Sequence, residues 1–174
     1  NLSSLEMSKG SDIHGYVAYY ADVLNDGWYF DGWRLTVTKN YDLDSDTEYP
    51  WYSPRSPIQS VRLGANVTTI GKYAFRDCTS LTSVIIPNSV TSIGKYAFVG
   101  CCSLTSITIP ESVTSIGNGT FFNCSSLMKI TIPESVTSIG DQAFYGCENL
   151  KTVHNLSSLD IVKGAYTHGG VAYY

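Results

Sequence analysis

Residues 104–126 read LTSITIPESVTSIGNGTFFNCSS, and three neighbours of the same 23-residue length, 58–80, 81–103 and 127–149, align with this stretch without a gap. The four share an apolar first residue, Val or Ile at the fourth place, Leu or Ile at the sixth, and then Val, Ile, Gly, Phe and Cys at constant offsets. A fixed period in the twenties marks a solenoid, whose units bury their apolar faces only by stacking on one another.

Within the unit, Leu104, Ile107 and Ile109 follow an L-x-x-L-x-L spacing. That spacing predicts a short strand with Ile107 and Ile109 turned inward and Ser106 and Thr108 outward. Pro110 has no N–H to donate and ends the strand. Val113 and Ile116 predict a second short extended stretch facing the core, and Gly117 a tight turn after it. Phe121, Cys124 and Leu127 are spaced by three, which predicts a single helical turn of 3₁₀ type. The fold expected is mainly β with short 3₁₀ or helical turns, each unit being strand, strand, turn.

Four of the five cysteines, Cys78, Cys101, Cys124 and Cys147, recur at one repeat position and form a ladder. Core thiols are the first reading, a disulfide between adjacent rungs the second, and metal the third, since ligands strung along a line do not converge. Cys102 falls beside the ladder and is expected to point outward.

The chain divides into an N-terminal cap over 1–57, the four repeats over 58–149, and an irregular fifth rung or C-terminal cap over 150–174. Residues 1–20 and 155–174 are copies with thirteen of twenty identities. The second copy follows Leu150 and Val153 and reads as an altered closing rung. The first reads as the closing rung of an earlier stack, so the chain is expected to belong to a longer repeat protein whose superperiod is the offset from Asn1 to Asn155. Residues 21–57 break the pattern and crowd aromatic side chains, from Trp28, Tyr29, Phe30 and Trp33 to Tyr49, Trp51 and Tyr52. Asp31-Gly32 inside WYFDGWRLTV signals a hairpin with a primed turn. Pro50, Pro54 and Pro57 stiffen the approach to Ile58. These aromatics are expected to pack as a cap over the exposed end of the stack, or else to stack on sugar rings.

With 11 basic and 15 acidic residues and no basic run, neither nucleic acid nor an anionic membrane surface is the main partner expected. No apolar run approaches the length of a membrane-spanning helix, so no membrane insertion by this chain is expected. Few charges and many Ser, Thr, Asn and Tyr residues are commoner outside the cell than in the cytosol.

The unit, almost letter for letter in residues 81–103 as LTSVIIPNSVTSIGKYAFVGCCS, resembles the BspA-like leucine-rich repeat, also called the Treponema pallidum type. The resemblance covers residues 58–149. It implies a right-handed leucine-rich-repeat solenoid of four 23-residue repeats with an irregular closing rung and an N-terminal cap. It also implies secreted or surface proteins of host-associated bacteria and some protozoa, several linked to adhesion and host-protein binding, and no enzyme. Gly64 in place of proline, Arg62 on the first strand and Thr120 in place of alanine depart from the pattern. The family brings no fixed ligand-contact residues.

No catalytic constellation stands out. His14, His154 and His168 are the available histidines, and no G-x-S-x-G elbow is present. Asp42, Asp44, Asp46 and Glu48 alternate, yet lack the glycine and distal glutamate of an EF-hand loop. The expectation is no enzyme, no cofactor and no metal. Asn1, Asn66, Asn118, Asn123 and Asn155 head N-x-S/T sequons, of weight only where exported proteins are glycosylated.

Solenoids bind through columns that repeat in space and vary in identity. One such surface is the exposed strand face, where Ser60, Ser83, Ser106, Lys129 and Thr152 run beside Arg62, Ile85, Thr108, Thr131 and His154. The candidate ligand-binding residues are Arg62, Ile85, Thr108, Lys129, Thr131 and His154, with Trp33 for the aromatic segment. A second candidate is a turn-side ridge of Tyr73, Tyr96, Phe122 and Tyr145. The function expected is a non-enzymatic extracellular binding module for a protein or glycan ligand at a host or cell surface. The alternatives are a carbohydrate-binding module built on the aromatic segment and a structural spacer in a larger surface protein.

Overall fold

The computed structural model describes residues 27–31, 33–40, 49, 51, 58–163 and 171–173. Strands β1 (Trp28–Asp31) and β2 (Arg34–Val37) form an antiparallel hairpin. Each repeat then contributes a first and a second strand: β3 (Ser60–Leu63) and β4 (Thr69–Ile70), β5 (Ser83–Ile85) and β6 (Ser92–Ile93), β7 (Ser106–Thr108) and β8 (Ser115–Ile116), β9 (Lys129–Ile132) and β10 (Ser138–Ile139). β11 (Thr152–Asn155) follows, then β12 (Ile161–Lys163) and β13 (Val171–Tyr173), which pair with each other in parallel.

Equivalent strands of successive repeats pair in parallel and in register, Ile107 opposite Ile130 and Ile93 opposite Ile116. The register follows from the pleat, because a slip of one residue would turn every inward side chain to solvent. β9 shows the alternation, with Ile130 and Ile132 buried and Lys129 and Thr131 exposed. Ile107 and Ile109 are buried and Ser106 and Thr108 exposed, as the spacing predicts. β11 joins β9 opposite Lys129–Ile132, so the rung after the last regular repeat is a fifth rung on this side. Between β5 and β7 the first-strand ladder is interrupted, and the sheet divides into β1-β2-β3-β5 and β11-β9-β7. Nothing in the structure explains that break.

Hydroxyls tie the rungs together. Ser89, Ser112 and Ser135 donate to the carbonyls of Val67, Val90 and Val113 at 2.6–2.7 Å. Thr114 and Thr137 donate in the same way to Thr91 and Thr114. A Ser/Thr-rich composition therefore has a reason inside the fold, whatever the compartment.

The third side of each rung is a run of turns, with no helix among the described residues. Bonds of the 3₁₀ kind form, from the N–H of Arg76 to the Tyr73 carbonyl (3.1 Å) and from Cys78 to Phe75 (3.3 Å). Left-handed backbone at Tyr73 (φ 58°) and Asp77 (φ 56°) stops them from propagating. The N–H groups of Tyr73, Phe75 and Asp77 instead donate to Lys95, Ala97 and Val99 of the next rung at 2.7–3.0 Å.

The glycine column also has a different cause from the tight turn expected of it. Gly117 is not left-handed, but a Cβ there would lie 2.5 Å from the Lys95 nitrogen and 2.7 Å from the Gly94 carbonyl carbon. The requirement is close approach of rung to rung, and the atoms met are backbone. Gly117→Ala is expected to cost about 1–3 kcal/mol, read as a lower urea midpoint. An unchanged midpoint would show that the rungs can separate freely there.

The core is a set of columns running the length of the stack. Phe75, Phe98, Phe121 and Phe144 stack ring on ring, at 5.3–5.7 Å between centroids. Trp51 stacks on Phe75 at 5.9 Å and donates its indole N–H to the Ala74 carbonyl at 2.7 Å. Tyr49 donates its hydroxyl to the Lys72 carbonyl, and Trp28 meets Trp51 edge-on. Trp28, Tyr49 and Trp51 are buried.

The cap goes further than a lid, because β2 pairs in parallel with β3, Arg34 opposite Ser60 through Val37 opposite Leu63. It is an additional rung ahead of the first regular repeat, in a segment read as outside the solenoid pattern. The hairpin pairing ends with Asp31 opposite Arg34, so residues 32 and 33 lie between the strands. The turn thus falls one residue later than the Asp31-Gly32 signal places it. Asn40 closes the second sheet at this end. Its side chain accepts the N–H groups of Thr68 and Thr69 and donates to the Thr68 hydroxyl, satisfying an edge that would otherwise be open.

Candidate functional site

The strand face is built from the positions that each first strand turns away from the core. Register places Arg62 opposite Ile85, and Thr108, Thr131 and His154 opposite one another in turn. Ser106, Lys129 and Thr152 form the adjacent column. Arg62, Ile85, Thr108, Lys129, Thr131 and His154 are all exposed; the first two lie in one sheet and the other four in the next, and contact between β5 and β7 brings the two sheets side by side. Thr36, opposite Arg62, is buried and ends the column at the hairpin.

Trp33 belongs to this face as well. Its carbonyl accepts the Gln59 N–H at 3.0 Å, and its side chain is 39% exposed. It stands level with the residue just before each first strand: Gln59, Thr82, Thr105, Met128 and Lys151, all exposed. The candidate set missed that column, and with it Met128 (52% exposed) and Lys151. The signal was present, since these are the second residues of the repeats and vary freely. Leu156, 54% exposed, lies just past β11.

The turn-side ridge is not one column. Tyr73 stacks on Tyr96 at 5.4 Å, and Phe122 on Tyr145 at 4.8 Å, as two pairs three repeat positions apart. All four are half-buried. Lys72 and Arg76 lie over the Tyr73 ring at 5.2 and 5.8 Å. Ring faces engaged with each other in this way are poor platforms for a ligand.

The ladder thiols are buried, and three of them bond across a rung. Cys101, Cys124 and Cys147 donate to the carbonyls of Phe75, Phe98 and Phe121 at 3.1–3.2 Å. Burial, reinforced by neighbouring thiols, holds Cys101 and Cys124 well above the ordinary value of 9.0, and burial pushes Cys147 up to about 12. Such thiols stay protonated and inert. Cys102 is exposed, as expected.

Among the described residues no group of His, Cys, Asp and Glu side chains is placed to hold a metal ion. Nor is there among them a helix long and apolar enough to cross a membrane. His14, His168 and the acidic cluster Asp42, Asp44, Asp46 and Glu48 lie outside the described residues. A small cleft between the cap and the first rung is lined chiefly by apolar side chains, Val37, Trp51, Val67 and Ile70 among them.

A family described as a BspA type leucine rich repeat region matches residues 49–168, in six copies. No curated protein sequence matches the chain. Among solved structures, a leucine-rich repeat protein of Bacteroides ovatus is 42% identical over 56% of this chain, with a TM-score of 0.54. The chain spans a quarter of that protein's length, 25%. A leucine-rich repeat protein of Eubacterium ventriosum is 31% identical over 72% of this chain and 40% of its own, with a TM-score of 0.56. The leucine-rich repeat protein of T. pallidum is 23% identical over 84% of this chain and 81% of its own, with a TM-score of 0.56, a likeness of fold.

Proposed function

Because the chain belongs to the BspA-type leucine-rich repeat family, whose solenoids generally serve protein interaction, we propose that it is a non-enzymatic protein-binding module. It acts at a bacterial cell surface or after secretion, in adhesion or recognition of a host protein. The observation that carries this reading is the strand face itself. Trp33, Ile85 and Met128, three of the four exposed large apolar side chains among the described residues, stand there beside Arg62. Aromatic, apolar and arginine side chains of this kind are the usual anchors of protein interfaces.

The carbohydrate reading lost most of its support when Trp28, Tyr49 and Trp51 proved to be core. Trp33 remains, and it fits the end of the strand face. The test is a binding screen of the purified chain against host extracellular proteins and a glycan array, with Arg62→Ala/His154→Ala and Trp33→Ala variants. A protein ligand whose affinity drops at least tenfold in Arg62→Ala/His154→Ala is the expected result. A glycan ligand lost with Trp33→Ala alone would replace this reading with a carbohydrate module. Silence on both panels would favour a spacer.

A further inference from the structure

The outward columns of the strand face run in two paired stretches, from Trp33, Arg34 and Arg62 to the β5 rung and from the β7 rung to Lys151, Thr152 and His154, with β5 and β7 packed side by side. None of their residues is acidic, in a chain with 15 acidic against 11 basic residues and a net charge of −4. Arg62, Lys129, Lys151 and His154 are exposed on this face. Among the described residues no carboxylate pairs with any of them. Arg34, at the hairpin end of the face, stands opposite Asp31. Glu111, Glu134 and Glu148 are exposed in the loops on either side of the strands, so negative charge frames the face and is missing within it.

The positive charge has a layout. Arg62 sits in the first repeat, while Lys129 and Lys151 cluster in the fourth and fifth rungs beside His154, three or four rungs away. At about 4.8 Å per rung the nearer separation is about 14 Å. Ile85, 60% exposed, lies between the two ends, and Met128 borders the larger cluster.

We propose that the strand face binds an extended acidic segment of a partner protein. One carboxylate sits on Arg62, others sit on Lys129 and Lys151 beside His154, and apolar side chains between them cover Ile85 and Met128. An extended chain rises about 3.3 Å per residue, so the two acidic ends of the ligand are about four residues apart. An anionic polysaccharide matches the charge but leaves Ile85 and Met128 uncovered, which is why a peptide fits better. This proposal rests on the protein-binding reading and adds the chemistry of the partner.

The test is to pan a random twelve-residue peptide library, displayed on phage, against the purified chain, and to measure the enriched peptides by fluorescence polarisation. The expected peptides carry Asp or Glu together with Leu, Ile, Val or Phe, and are poor in Lys and Arg. Their Kd rises at least tenfold in Arg62→Glu/Lys129→Glu/Lys151→Glu, at least threefold in Ile85→Ser, and several-fold between 50 and 500 mM NaCl, as screening requires. Thermal melts of both variants matching the parent confirm that the fold is intact. Enriched peptides without an acidic bias, yet weakened by Ile85→Ser, would overturn the acidic ligand and keep the protein-binding face. A heparin fragment that binds through Arg62, Lys129 and Lys151 while acidic peptides fail to compete would overturn the peptide in favour of a polysaccharide. If no enriched peptide is weakened by either variant, both the proposal and the strand-face reading fail.

Discussion

Replacing Phe98 by alanine is expected to destabilise the chain by about 3–5 kcal/mol. Phe98 is fully buried, with Phe75 on one face at 5.3 Å and Phe121 on the other at 5.6 Å. The substitution therefore opens a cavity at the middle of a stack that runs from Trp51 to Phe144. It also removes two ring contacts, each worth about 0.5–1.5 kcal/mol beyond the area buried. Phe98→Leu keeps most of the volume and should cost less. Urea denaturation checks both variants, and an unchanged midpoint for Phe98→Ala would place that ring outside the core. In a one-dimensional stack the same variant should also loosen the coupling between the two halves, seen as a broader transition.

Raising the pH from 8 to 10 is expected to erode stability by about 1.4–2 kcal/mol for each of Cys101, Cys124 and Cys147, or about 4–6 kcal/mol over that interval together. In the folded chain burial holds the first two well above 9.0 and Cys147 at about 12. In the unfolded chain the thiols are free to ionise. The unfolded state thus sheds protons that the folded state keeps, and the stability present below pH 9 is lost as pH rises toward the folded values. Chemical denaturation at pH 8 and pH 10 measures the slope. The variant C101A/C124A/C147A should show a much shallower one, and an equal slope in the variant would mean that these thiols are not held protonated in the core.

The columns of the regular repeats were legible because each depends on a constant offset. The positions of Ile107, Val113, Phe121 and Cys124 each recur once in every repeat, and burial follows from alternation along a few neighbouring positions. The rung built from β2 and Trp51 was not legible. The step along the chain from Arg34 to its partner Ser60 is longer than the step from Ser60 to Ser83, and that from Trp51 to Phe75 is longer than that from Phe75 to Phe98. A rung of irregular length does not align with the period. The turn ridge failed for a related reason, since the step from Tyr96 to Phe122 exceeds one repeat and places them in different columns. The candidate site was half legible: Arg62, Ile85, Thr131 and His154 could be placed from strand parity, but Met128 and Lys151 precede the strands and became part of the face only when neighbouring rungs aligned.

By itself the sequence determined the solenoid, its repeat length, its core columns and its outward strand positions, because a repeated local pattern can satisfy its hydrogen bonds and bury its apolar side in only one way, by stacking. The tertiary structure alone decided how the first end is closed, why Gly117 admits no side chain, and which exposed residues share a surface. Those features are set by distances between rungs, across which side chains far apart in the chain come within contact, and no local pattern carries that distance.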